Sequence, residues 1–280
     1  MSRPTDPVAL ACLLPAASAY IAALDEALPG RLTGFLVTGS AVLGDWRPAL
    51  SDLDFLAMTD TALTGPELGL LDRLHRRYRR GRRRPLLDGA FATWSQLAAD
   101  PRGLVLPRVR EGVFVPRNGY VANPVAWMTV ARHPWALRGP EAPAAWSDAR
   151  VLKDWCRDNL EGYWRGWIGK ARREATSRLY SLSAEAAYWG TLGVARIHAT
   201  IATGEILSKG AAAEWAHSRF GQEWGDLIAW AGAHRAGKRA PVRLVPWKRR
   251  RLCLDFMDMA IEDALRLAGS DAAAGLAPRG

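Results

Sequence analysis

The chain has 280 residues, 49% hydrophobic and 24% charged, enough for one large or two modest globular domains. No apolar run reads as membrane-spanning. The three scattered cysteines, Cys12, Cys156 and Cys253, make neither a disulfide framework nor a metal-ligand spacing and fit a reducing cytoplasm. The net charge of +10, mostly arginine, points to a polyanionic partner without deciding between nucleic acid and a nucleotide.

In chain order, VALACLLPAASAY mimics a signal-peptide core, but Asp6 and Pro15 argue against one. The apolar positions Leu14, Ala17, Tyr20, Ile21, Leu24 and Leu28 instead predict a first helix covering a sheet. Phe35 to Thr38 suits a buried strand that breaks at Gly39-Ser40, and Ser51 to Met58 suits a second. Alternation along that second strand puts Asp52 and Asp54 on one face. Two close carboxylates repel unless a cation sits between them, and a divalent metal with oxygen ligands, Mg2+ above all, is the usual remedy. Gly39 permits a tight turn, after which Ser40 is expected to open a helix whose N–H groups face an anion.

Gly39-Ser40 followed by Ser51-Asp52-Leu53-Asp54 resembles the signature of the nucleotidyltransferase superfamily. Within it the chain is similar to the aminoglycoside adenylyltransferases of the streptomycin/spectinomycin type. Thr64 and Glu67 then have capping-box spacing, and Leu68, Leu71, Leu74 and Tyr78 form the apolar stripe of a helix. That helix ends in the run Arg73 to Arg84, read as a solvated basic end. Pro85 to Trp94 predicts a third strand; paired beside the second, it would bring Asp88 to the other two aspartates. The resemblance implies a third carboxylate here, usually Glu. Asn123 to Pro140 resembles the family's closing helix and Arg-Gly-Pro loop, and carries no assigned chemistry.

Composition turns Pro- and Ala-rich around residues 140–145, a plausible boundary, and everything beyond reads as helices. The domains expected are residues 1–141, residues 146–270 and a disordered tail at 271–280. Ser147-Asp148 and Ser183 cap long helices, shorter ones start near Lys209 and Gln222, and a last one runs from about Pro246 to Leu267. The many tryptophans at helical spacing read as core. Thr191 to Ala216 is the second block of resemblance; it implies that Arg196 and Lys209 bind the nucleotide triphosphate, a sensible use of two cations. Ala186-Ala187 replaces an Asp-Glu pair that helps select the aminoglycoside in relatives, and Arg235 stands where they place a nucleotide-contacting Tyr.

The resemblance thus implies an α/β nucleotidyltransferase domain with a mixed sheet, followed by an all-α domain that closes the cleft. The reaction implied is transfer of AMP from ATP to a hydroxyl of an aminoglycoside or aminocyclitol such as streptomycin or spectinomycin. In it Asp52, Asp54 and Asp88 face Mg2+, Ser40 and Ser51 position phosphates or metal ligands, and Asp88 takes the acceptor proton. A monomer acting in the cytoplasm, away from membranes, is expected. The alternatives are a protein or RNA acceptor, or a non-catalytic nucleic-acid-binding relative.

Overall fold

The apolar runs flanking Gly39 become neighbouring strands, β1 (Gly34–Val37) and β2 (Leu53–Thr59), antiparallel with Val37 opposite Phe55. The computed structural model describes residues 7–48, 50–81 and 84–275. These fall into two compact units that divide between Asp148 and Ala149.

The first unit is a six-stranded mixed sheet in the order β5-β4-β3-β2-β1-β6. β2 crosses through helix α2 (Gly65–Gly81) into β3 (Leu87–Thr93), which pairs with it in parallel, as a strand–helix–strand crossover allows. β4 (Val105–Arg110) and β5 (Val113–Val121) form a hairpin, and β6 (Ala136–Arg138) edges β1. The sequence reading named only the first three strands. The hairpin turn uses Glu111 and Gly112 at φ 49° and 76°, the left-handed pair that matches strand twist. The charges of Arg108 and Arg110 obscure its apolar alternation.

Both sheet faces are covered. Phe35, Val37, Leu53, Phe55, Leu87 and Phe91 lie with Tyr20 and Leu24 of α1 (Pro7–Ala27) and Leu71 of α2. Phe35 and Phe55 stack at 5.2 Å, with Tyr20 edge-on to both. His75, which the sequence reading passed over, is buried in this layer; its Nδ1–H donates to the Leu71 carbonyl, so Nε2 accepts from the Tyr20 hydroxyl at 2.8 Å. The opposite face, Leu36, Leu56, Met58, Ala90 and Ala92, packs with Leu97 of α3 (Trp94–Leu97) and Trp127 of α4 (Pro124–Arg132). Asn123 caps α4 through a bond from Ala126 N.

One expectation about the helices of this unit changes. Leu10–Ala27 is, by length and composition alone, apolar enough to cross a membrane, but Leu13, Ala17, Tyr20 and Leu24 are buried against the sheet. The buried stripe of α1 therefore starts at Leu13, and Leu14 is exposed. The capping box of α2 forms as expected, with Thr64 N donating to Glu67 Oε2 at 2.7 Å.

The second unit is helical. α5 (Ala149–Asn159) passes through a π-helical turn, Leu160–Trp164, into α6 (Arg165–Arg173), and the short α7 (Ala175–Tyr180) follows. α8 (Ala184–Thr203) begins on Ser183, whose hydroxyl accepts from Ala186 N, and ends on Gly204 at φ 78°. α9 (Lys209–Arg235) is one helix, not two, because nothing near Gln222 supplies a proline or a left-handed stop. α10 (Pro246–Gly275) runs past Leu267 through the alanines at 272–274, which favour helix; residues 276–280 of the expected tail lie outside the described residues. Trp164 and Trp230 are core, whereas Trp247 is 70% exposed.

A buried polar junction ties three of these helices. Trp215 of α9 donates to His198 Nδ1 at 3.0 Å, so the other ring nitrogen, Nε2, donates to Asp263 of α10 at 2.9 Å. Three donors, His198, Arg266 and Arg219, hold the Asp263 carboxyl down at about 2 against the burial that raises it. Burial holds the His198 pKa below 6.5 despite Asp263. Asp263→Ala strands a buried N–H and is expected to remove about 2–4 kcal/mol in urea unfolding. Both folded pKa values are depressed, so stability is present above the ordinary values and is lost on acidification, through the imidazole range first and finally towards pH 2.

Candidate active site

The site begins where β1 ends. Thr38 N donates to the Asp54 carbonyl at 3.0 Å, and the next residue, Gly39, turns the chain at φ 62°. A Cβ on Gly39 would lie 2.1 Å from Asp54 Oδ2 and 2.6 Å from its Cγ. The Asp54 carboxyl thus rests on a backbone that only glycine leaves open. The segment after it is a run of turns, not the helix expected from Ser40. Leu43 N and Asp45 N reach back to the Gly39 and Ser40 carbonyls, but Gly44 at φ 69° stops the winding after one turn. No helix N-terminus is therefore built on Ser40.

The rest of this loop is held from both ends. Trp46 Nε1 donates to the Asp52 carbonyl at 2.8 Å, and Arg47 N donates to the Ser51 hydroxyl at 2.9 Å. Ser51 is buried and, through this bond, shapes the approach to Asp52.

Parallel pairing of β2 with β3 places Asp88 directly beside Asp54. Adjacent partners in a parallel ladder share a face, so both carboxylates point from the Leu56/Ala90 side of the sheet. Among the described residues, no group of three or more His, Cys, Asp or Glu side chains is close enough to enclose a metal. Instead Arg84 Nη1 lies 2.8 Å from Asp52 Oδ1, and Arg108 Nη2 lies 3.2 Å from Asp88 Oδ1. Burial raises the Asp88 pKa, while Arg108 and Arg110 pull it back.

Neither arginine was singled out from the sequence. Arg84 was grouped with the basic run of α2, yet it stands beyond that helix, one residue before Pro85. Arg82 and Arg83 of that run lie outside the described residues. Arg108 sits in the hairpin that the sequence reading did not recognise.

In the helical unit, Arg196 Nε donates to the Leu207 carbonyl at 2.9 Å and so pins the loop between α8 and α9. Ser208 caps α9 by accepting from Ala211 N, and Lys209 follows at its first turn. Lys209 Nζ lies 5.5 Å from the centroid of the Tyr188 ring, whose hydroxyl donates to Glu185. Arg196 and Lys209 thus flank one short loop from its two ends. Tyr188 is a further residue of this corner that spacing did not flag, although it precedes Arg196 by two helical turns. Ala186 and Ala187 are buried, as is Arg235 at the end of α9.

Residues 168–248 match the family described as "Aminoglycoside adenylyltransferase, C-terminal domain". The fold is that of spectinomycin adenyltransferase AAD(9) from Enterococcus faecialis, whose crystal structure contains ATP and spectinomycin. The TM-score is 0.63 at 15% identity, over 89% of this chain and 99% of that one. No curated protein matches the sequence. The match to that family is thus confined to the helical module, while the mixed-sheet domain ahead of it shares the fold seen in AAD(9).

Proposed function

We propose that the protein transfers AMP from ATP to a hydroxyl of an aminoglycoside or aminocyclitol such as streptomycin or spectinomycin. The observation that carries this reading is the pairing of β2 with β3, which lines up Asp54 and Asp88 beside the Gly39 turn. Asp52 and Asp54 are the residues that would hold Mg2+. An oxygen-only pair, rather than a closed protein cage, suits an ion that keeps waters and takes substrate phosphates as ligands. Held by Asp52 and Asp54, such an ion would supply positive charge to offset what develops on the phosphates as pyrophosphate leaves.

The chain's own residues supply the rest. Asp88, beside Asp54 in the ladder, accepts the proton of the attacking hydroxyl at a carboxylate oxygen. Ser51 holds the loop that presents Asp52, and Ser40, on the turn after Gly39, offers its hydroxyl to a phosphate oxygen. Arg196 and Lys209 bind the triphosphate. All three cysteines are free thiols, which accords with action in the cytoplasm. Incubating the protein with labelled ATP and a small panel of aminoglycosides tests the reading: a labelled antibiotic product supports it, and turnover with none of them removes it.

A second acceptor class, a protein or RNA, is favoured by two observations. The chain carries +10, and Ala186-Ala187 offers no acid to a polycationic antibiotic. Labelled protein or RNA in the same assay would select this class.

Gly39→Ala tests the geometry of the site. The substitution meets the Asp54 carboxyl and must move it, so transfer is expected to fall at least ~100-fold, on the scale of losing one preorganised electrostatic contact. Gly44→Ala is the control, since it carries a similar positive φ but a Cβ there meets nothing within 4 Å. It is expected to show the same modest backbone strain in thermal unfolding with its rate retained.

A further inference from the structure

We propose that Arg84 is an exchange residue: it neutralises Asp52 while no metal is bound, and moves to the triphosphate when a metal takes its place. This rests on the assignment of Asp52 and Asp54 as metal ligands above. Arg84 Nη1 lies 2.8 Å from Asp52 Oδ1 and also donates to the Leu50 carbonyl at 3.3 Å. The guanidinium thus occupies one of the oxygens a divalent cation needs. Asp88 has its own arginine, Arg108, so it too is charge-balanced by protein. Asp54, beside Asp88 in the ladder, lies against the Gly39 backbone.

A divalent ion reaching Asp52 meets a like charge at that oxygen and a stronger claim on it. Arg84 is 44% exposed, so its release requires no repacking. The chain just after it is fixed: Leu53 N donates to the Leu86 carbonyl at 2.7 Å, joining the Arg84 segment to the one bearing Asp52. A displaced Arg84 therefore stays within a side chain's length of the metal position. There the ligand the metal brings, a polyphosphate, offers the bidentate partner that guanidinium favours. The arrangement gives one cation two successive anions and makes metal and nucleotide binding mutually reinforcing. Without nucleotide, the metal must displace Arg84 into water; with nucleotide, the displaced side chain gains a partner.

Two titrations on the intact protein test this. Mn2+ binding without nucleotide, followed by electron paramagnetic resonance, is expected to tighten up to ~5-fold in Arg84→Gln, the range of one exposed ion pair removed. ATP binding in the presence of Mn2+, followed by calorimetry, is expected to weaken by about tenfold in the same variant, as one charge-assisted contact is lost. A residue that merely braces the loop would lower both affinities, and that result, or no change in either, overturns the proposal. Arg84→Lys, which keeps the charge without the fork, is expected to fall between wild type and Arg84→Gln in both titrations. Asp52→Asn separates the layers: if it binds Mn2+ as tightly as wild type, the metal assignment itself fails. If it loses Mn2+ while Arg84→Gln matches wild type, only the exchange role fails.

Discussion

Asp52→Asn and Asp54→Asn are each expected to slow adenylyl transfer by at least ~10³-fold, since on the proposed reading each would remove a charge that holds the metal and with it several kcal/mol of transition-state stabilisation. The fold is expected to survive. Asn matches Asp in shape, and the bonds that set this corner run through backbone atoms. Trp46 uses the Asp52 carbonyl, and Thr38 the Asp54 carbonyl. Single-turnover transfer and thermal unfolding on the same samples check both halves. Wild-type turnover in either variant would remove that aspartate from the metal site, and an unfolded variant would show it to be structural.

Asp88→Asn is expected to keep ATP binding and lose transfer by about 10²–10⁴-fold, the range of a positioned general base. Burial raises the Asp88 pKa and Arg108 and Arg110 lower it, so the acid limb of the pH–rate profile reports the balance between them. A base works deprotonated, so the rate falls as pH drops through that pKa. Arg108→Met removes a lowering partner and is expected to move the limb to higher pH. A limb that stays in place would mean that the titrating group is not Asp88. Asp88→Glu, which restores the side chain usual in the resembled family, is expected to retain activity.

Asp54 was legible because strand pattern is a local property and the Gly39 turn sits just upstream, whereas Asp52 stands one residue before β2 and not on it as expected. The N-caps Ser183 and Thr64 were legible for a similar reason, since a cap and the N–H it receives lie three residues apart. Arg196 and Lys209 entered through resemblance alone, because nothing in their spacing distinguishes them from solvent-facing cations.

The roles of other residues depended on contacts that sequence spacing does not encode. Arg84 reads as one more member of a basic run until the link between the Leu53 and Leu86 segments brings it to Asp52, 32 residues away. Arg108 meets Asp88 only because a hairpin adds itself to the β3 edge, and its charged residues hid that hairpin from periodicity. The helix expected after Ser40 failed for a converse reason. A local preference for an N-terminus was overruled by Gly44, whose left-handed backbone turns the chain towards the Trp46–Asp52 bond. By itself the sequence determined the strand that carries Asp54, which starts at Leu53 just after Asp52, most helix caps and the helical character of the second half, all set by neighbours a few residues apart. Only the tertiary structure decided that Asp54 and Asp88 stand side by side and that two arginines answer the carboxylates, because strand order and register depend on which distant segments bury their apolar faces together.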